Sequence, residues 1–201
     1  MAKQITRCPW VGIDDPEYTR YHDQEWGVPK FDERELFEKL VLEGFQAGLS
    51  WLTILRKRQN FRAAFDGFTP EKVAAYGDAD ISRLMADAGI VRNRSKVEAT
   101  ISNARAYLDL SGRQSLSDFL WGFIDGKPII NQHAKFGDVP AQTDISKRIS
   151  KALKAEGFRF VGPTTVYAFM QSVGMVNDHL VSCHRHAPCA KLQRAIRSKN
   201  R

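Results

Sequence analysis

Asp32-Glu33-Arg34-Glu35-Leu36-Phe37-Glu38-Lys39-Leu40-Val41-Leu42-Glu43-Gly44 is the stretch that decides the fold class. Asp32 followed three residues later by Glu35 is the capping-box signature of a helix start. Leu36, Phe37, Leu40 and Val41 then recur at the spacing that puts apolar side chains on one helical face. The same grammar continues along the chain. Ser50 can cap a helix carrying Leu52, Ile54, Leu55, Phe61 and Phe65 and stopping near Gly67. Thr69-Pro70 places proline at a favoured first helical position. Asp78 or Asp80 opens a helix with Ile81, Leu84 and Met85, closed by Gly89. Further apolar patterns run through Val97, Ile101, Ala104 and Leu108, and through Leu116 to Ile124. Thr143 or Asp144 opens one with Ile145, Ile149 and Leu153, ended at Gly157. Thr164 or Thr165 opens the last clear helix, with Val166, Phe169, Met170 and Val173. The stretch from Gly126 to Pro140 reads as a surface loop, and no sustained period-2 alternation marks a sheet. The pattern is helical from about residue 32 onward and predicts an all-α, orthogonally packed bundle.

With 201 residues, the chain fits one domain or two intimate lobes. Its 43% hydrophobic and 26% charged content suits an ordinary core. No apolar run spans a bilayer, and Met1 to Thr6 lacks the apolar stretch of a secretory signal. A soluble, cytoplasmic protein with no membrane partner is expected. The net charge of +7 invites a nucleic-acid reading, yet five of the cations (Lys191, Arg194, Arg197, Lys199, Arg201) crowd the final eleven residues and leave +2 for the rest. The body is only mildly basic. Three cysteines, Cys8, Cys183 and Cys189, are too few and too odd in number for a disulfide framework.

His179 and Cys183 stand four residues apart, a spacing that on a helix puts both on one face. With Cys8 and His22 they make a Cys2His2 set, the usual complement of a closed structural zinc site with no open position for substrate. His184, His186 and Cys189 are competing ligands close by, and a buried Cys8 beside an exposed His/Cys-rich end is the plainer alternative.

Three of the four tryptophans, Trp10, Trp26 and Trp51, fall in the first 51 residues with Tyr18 and Tyr21. Glu43 lies between Trp26 and Trp51, flanked by Gly44 and Gly48. Aromatic faces suit a flat ligand and suit a cationic one better. A carboxylate beside them accepts hydrogen bonds from an exocyclic amine and favours positive charge. Those properties describe a pocket for a positively charged purine, against the alternative of plain core aromatics and a helix-end acid. Asp80 to Ala88, the turn Gly89-Ile90-Val91-Arg92-Asn93-Arg94 and a helix from about Ser95 read as helix–turn–helix. Backbone N–H groups at Gly89 and Val91, with Arg92, Arg94 and Lys96, form a candidate phosphate-backbone contact; an ordinary αα-hairpin is the alternative.

Five blocks carry a resemblance. They are Tyr21-His22-Asp23-Gln24-Glu25-Trp26-Gly27-Val28-Pro29, Leu42-Glu43-Gly44-Phe45-Gln46-Ala47-Gly48-Leu49-Ser50-Trp51, Asp87-Ala88-Gly89-Ile90-Val91-Arg92-Asn93-Arg94, Gly157-Phe158-Arg159-Phe160-Val161-Gly162 and Met175-Val176-Asn177-Asp178-His179. In this order, across about residues 7 to 183, the chain resembles the 3-methyladenine DNA glycosylase I family. The resemblance implies a helix-hairpin-helix DNA glycosylase fold with an added zinc-binding lobe joining the N- and C-terminal regions. It implies a single glycosylase domain over 1–190, with the lobe from about 1–30 and 175–185, the hairpin at about 80–108, and a basic C-terminal tail over 191–201. Cys8, His22, His179 and Cys183 match the family's ligands for one structural Zn2+. Glu43 matches the acid that hydrogen-bonds the methylated base, Tyr21 and Trp51 match aromatics lining the base pocket, and Tyr18, Trp26 and Trp10 fall near it. The Gly89 turn lacks the two-glycine hairpin of the wider superfamily, and no counterpart of that superfamily's catalytic aspartate is present.

The implied activity is a monofunctional glycosylase that flips 3-methyladenine out of alkylated double-stranded DNA, releases the free base and leaves an abasic site in base excision repair. A monomer is expected. A non-catalytic alkylation-damage DNA-binding module and a zinc-stapled protein-interaction domain are the competing readings.

Overall fold

The structure is a computed structural model that describes residues 5–12 and 15–199, the side chains of 197–199 excepted. Residues 1–4 and 13–14 of the expected N-terminal lobe, and residues 200–201 of the basic tail, lie outside the described residues. Ten α-helices are present among the described residues: α1 (Pro16–Gln24), α2 (Glu33–Gln46), α3 (Trp51–Ala64), α4 (Pro70–Ala74), α5 (Asp78–Ala86), α6 (Arg94–Ser111), α7 (Leu116–Gly122), α8 (Asp144–Ala155), α9 (Pro163–Ser172) and α10 (His186–Lys199). The all-α reading holds.

Side-chain caps set most of the helix starts. The Asp32 carboxylate accepts the Glu35 N–H at 2.9 Å, Ser50 Oγ accepts the Thr53 N–H at 3.2 Å and Thr143 Oγ1 accepts the Ser146 N–H at 3.2 Å. Helix α9 begins differently from the expectation: Gly162 is its N-cap and Pro163 its first residue, just ahead of the threonines.

Helix α2 is the axle. It packs against α3, α6, α7 and α9, which bury Leu36, Phe37, Leu40, Leu42 and Phe45. Being wrapped on several sides, it also buries Glu38, Lys39 and Glu43, which an isolated amphipathic helix would leave in water.

Two helices escaped the sequence reading. Helix α1, Pro-Glu-Tyr-Thr-Arg-Tyr-His-Asp-Gln, has almost no aliphatic stripe; it is started by Asp15, whose carboxylate accepts the Tyr18 N–H at 2.8 Å. Helix α10 runs through the boundary expected at residue 190 and buries Cys189, Ala190 and Gln193, so the basic segment begins as a packed helix. The Gly126 to Pro140 loop is not wholly irregular either. Strands β1 (Ile129–Ile130) and β2 (Val176–Asn177) pair in parallel, Ile129 with Val176 and Ile130 with Asn177. This short ladder anchors the long loop to the residues that precede His179. Among the described residues no helix is long and apolar enough to cross a membrane.

Candidate functional site

A cavity of about 670 Å³ opens between α1, the end of α2, the start of α3, α9 and the 136–141 loop. All six expected pocket residues line it: Trp10, Tyr18, Tyr21, Trp26, Glu43 and Trp51. The rings form a continuous wall. Tyr21 and Trp51 lie 5.4 Å apart between centroids, Trp10 and Tyr18 4.9 Å, and Trp10 and Trp26 5.0 Å. A groove of similar size, about 750 Å³, runs past Phe31, Trp121 and Leu192, but its two acids, Asp118 and Asp125, are exposed and impose no special chemistry.

Glu43 is 3% exposed and is the acid that the wall encloses. Burial pushes its carboxyl up to about 7, against the opposing pull of Lys39 and the Ser172 hydroxyl. A group so placed changes charge near neutrality. Tyr21 is raised well above the usual phenol range, by burial first and by Glu43 second, and stays neutral.

Several contributors were not foreseen. Lys39, one turn before Glu43, sits behind the wall, with Nζ 4.8 Å from the Tyr21 ring centroid and 5.2 Å from that of Trp51. Its place inside the apolar run of α2 was visible in sequence, but which side the neighbours would cover was not. Asp178 also lines the cavity, and its carboxylate accepts hydrogen bonds from Asn131, Tyr167 and Gln171, each at 2.7 Å. That network locks the segment leading to His179. Phe136, Gly137, Val139 and Pro140, from the stretch read as a surface loop, form part of the cavity's rim.

Cys8, His22, His179 and Cys183 come together as expected, all buried, with their ligand atoms within 4.8 Å of one another. The local reason differs from the expectation. His179 and Cys183 lie in the turns between β2 and α10, not on a helix. The turn is pinned at both ends: Val181 N–H donates to the His133 carbonyl at 3.0 Å, and His184 N–H to the Thr6 carbonyl at 2.9 Å. Sulfur–nitrogen separations are 3.7 Å for Cys8–His179, 3.6 Å for Cys183–His179 and 3.5 Å for Cys183–His22. A tetrahedral ion with the usual zinc–sulfur and zinc–nitrogen bond lengths would hold such atoms about 3.6 Å apart. The outer ring nitrogens are engaged as metal-bound imidazoles require: His22 Nδ1 with Asp23 at 2.7 Å and His179 Nε2 with the Trp26 carbonyl at 3.1 Å. Hydrogen bonds from Cys8, then from His179 and His22, hold the Cys183 thiol far below the ordinary thiol range, and burial lowers His179 so that its ring is neutral. The donor set therefore fits a metal ion. It also abuts the cavity, since Cys8 lines it and the Trp26 ring lies 4.6 Å from that of His179. Cys189, a competing ligand by sequence, is buried elsewhere in α10 with Arg185 beside its sulfur at 3.5 Å.

Helices α5 and α6 and the turn between them form the expected hairpin. Arg92 and Arg94 are exposed, and Arg94 reaches Glu98 at 3.4 Å. Two members of the candidate backbone contact are otherwise occupied. The Gly89 N–H donates to Asp87 at 2.7 Å. Lys96 is a correction: it is 8% exposed, and its ammonium donates to the Phe45 and Ala47 carbonyls at 2.8 and 2.6 Å. It caps the C-terminal end of α2, whose last carbonyls lack helical partners, and has no reach left for a phosphate.

Comparison with known proteins agrees with this geometry. Residues 10–186 match the methyladenine glycosylase family. The chain is 51% identical to the DNA-3-methyladenine glycosylase of Haemophilus influenzae over 185 residues, covering 92% of this chain and 97% of that one. It is likewise 51% identical to DNA-3-methyladenine glycosylase 1 of Escherichia coli, over 89% of this chain and 96% of the other. A crystal structure of 3-methyladenine DNA glycosylase I superposes with a TM-score of 0.88 at 50% identity, covering 90% of this chain and all of that one. The Staphylococcus aureus enzyme, studied for its recognition of 3-methyladenine, gives 0.87 at 41% identity over 92% of this chain and 98% of its own. With an aromatic cavity that encloses Glu43 and a family match along most of its length, this chain belongs to the methyladenine glycosylase family.

Proposed function

We propose that the protein is a monofunctional DNA glycosylase that excises 3-methyladenine from alkylated duplex DNA and leaves an abasic site. The observation that carries this reading is the burial of Glu43 in an aromatic cavity large enough for a purine. A base methylated at N3 while still in DNA is a cation with a weakened glycosidic bond. The duplex releases it into the cavity at the expense of its stacking. Tyr21, Trp51 and the neighbouring rings stack on it, worth roughly 0.5–2 kcal/mol for each good cation–π contact. Glu43 accepts hydrogen bonds from the base and, as a carboxylate, stabilises the positive charge that grows on the sugar as the bond breaks. Heterolysis moves the bonding pair onto the base, which leaves neutral; water then adds to the sugar cation and loses a proton to solvent. No strong acid is needed for so good a leaving group.

Cys8, His22, His179 and Cys183 hold a single Zn2+ in this reading. A closed set of four protein ligands leaves no position for substrate, so the ion ties residues 5–30 to 175–185 and steadies the Trp10–Trp26 side of the cavity. The hairpin turn, through Arg92, Arg94 and the backbone near Val91, contacts phosphates. The protein acts as a monomer in the cytoplasm, in keeping with three free buried cysteines.

The experiment is release of free base from methylated duplex DNA, with bases separated by chromatography. Release of 3-methyladenine without 7-methylguanine, reduced in Glu43→Gln, is expected. Binding to methylated DNA without release would make the protein a damage-binding module. No DNA binding even at low salt would favour an interaction domain.

A further inference from the structure

Lys39 is a buried cation without a hydrogen bond. It is 4% exposed, and Nζ has no hydrogen-bond partner. The nearest carboxylate, Glu25, is 3.9 Å away, and both of its oxygens are already taken by the Arg58 guanidinium at 2.5 and 2.9 Å. An ammonium so placed is a cost to folding, and a side chain of similar length ending in a methyl group would pack there more favourably. The Glu25 ion pair and the two ring contacts offset part of that cost, and its surroundings point to a further role. Tyr21 and Trp51 line the cavity while Lys39 does not, so the two rings stand between the ammonium and a bound base. Glu43 is one helical turn along α2, on the same face.

We infer that Lys39 is a positioning residue for base recognition: from behind the Tyr21–Trp51 wall its charge favours the carboxylate form of Glu43 that a cationic base meets. The inference rests on the reading of Glu43 as the base-recognising acid. The groups facing this pair support the assignment. Around Glu43 stand Tyr18 and Tyr21 from α1, both neutral phenols, and Ser172 from α9. Around Lys39 stand Glu25, Arg58 from α3, Lys30 and Glu43 itself. Arg58 is spent on Glu25, which leaves Lys39 as the cation whose field bears on Glu43. Burial in turn lowers Lys39 to about 8, so it is charged at neutral pH and loses its hold above that. A cationic base supplies the counter-charge from the open side when it arrives, and its departure as a neutral product returns Glu43 to Lys39.

The test is a carboxyl-carbon NMR titration of the ligand-free protein, with the Glu43 signal assigned by its loss in Glu43→Gln, in wild type, Lys39→Met and Lys39→Gln. Thermal unfolding verifies that each variant is folded; Lys39→Met is expected to melt no lower than wild type. The midpoint of Glu43 is expected to rise by about two units in the Lys39 variants, the size of a single-charge interaction over one helical turn at the protein's effective dielectric. The acid limb of 3-methyladenine release should rise by the same amount, with kcat at its pH plateau within about two-fold of wild type. A Glu43 midpoint that does not move in either folded variant overturns the inference while leaving the role of Glu43 standing. A midpoint that moves while Glu43→Gln releases base at the wild-type rate overturns the recognition role, and the inference with it.

Discussion

Glu43 is where burial and chemistry meet in one side chain. Replacing it by glutamine keeps the shape and some hydrogen bonding but removes the charge. Excision of 3-methyladenine by Glu43→Gln should fall at least several-fold, measured as single-turnover release, with free-base affinity falling alongside. Because burial sets Glu43 at about 7, wild-type activity should decline as pH drops below about 7, while the small residual activity of Glu43→Gln shows no such limb. Stability runs the other way. The folded protein binds the Glu43 proton more tightly than the unfolded chain does, from an ordinary 4.5 up to about 7. That contribution is present below about 4.5 and is lost as pH rises through 7. Glu43→Gln should therefore be more stable than wild type at pH 8, by about 1–3 kcal/mol, with the gap closing at pH 5, as read from urea unfolding.

The hairpin and the helix ends separate residues that bind DNA from residues that bind the fold. Arg92 and Arg94 are exposed on the turn, so each alanine variant should reduce the salt dependence of DNA binding by about one counterion without altering the melt. Lys96→Met should behave oppositely. It deprives the Phe45 and Ala47 carbonyls of a charged donor, costing about 1–3 kcal/mol in urea unfolding, and leaves the salt slope unchanged. The turn after α9 is equally demanding. Gly174 has φ of +72°, and a Cβ there would lie 2.4 Å from Pro29 N and 2.5 Å from Val28 C. Gly174→Ala should lose at least about 2 kcal/mol, because the clash is with backbone that cannot step aside.

Across the whole molecule the cluster of Cys8, His22, His179 and Cys183 brings segments from near the two ends of the chain together. Its four ligands come from before α1, α1 itself and the turns before α10, segments that otherwise touch through few aliphatic contacts. The purified protein should carry about one zinc per chain by elemental analysis. Stripping it with a strong chelator should lower the melting midpoint, with amide exchange rising first in residues 5–12 and 178–185 and last in α2 and α6. Readdition of zinc should restore both. Release of 3-methyladenine should fall in step with the loss of order around Trp10 and Trp26, since the Cys and His cluster stands behind those rings.

The chain's sequence by itself determined the helices from α2 to α9 and the aromatic residues, the acid Glu43 and the Cys/His set of the site. Caps such as Asp32, Ser50 and Thr143 act on neighbours a few residues away, and apolar periodicity is a local property, so both are legible in a string of residues. The aromatic clustering, the Cys/His spacing and the family resemblance likewise pointed to Glu43, the pocket aromatics and the four Cys and His residues, each of which the folded chain brings to the cavity or the cluster. Tertiary structure alone decided the rest. Helix α1 holds together through aromatic contacts and the packing of His22 against His179, not an aliphatic stripe, and α10 is packed only because Cys189 and Gln193 find cover from distant segments. Lys96 looked like a phosphate contact until the end of α2 was placed above it, and Lys39 drew no reading from sequence because its role rests on the rings of α1 and α3 that stand beside it. A charged side chain's role depends on what surrounds it, and burial is a property of the neighbours a fold supplies, not of the residue.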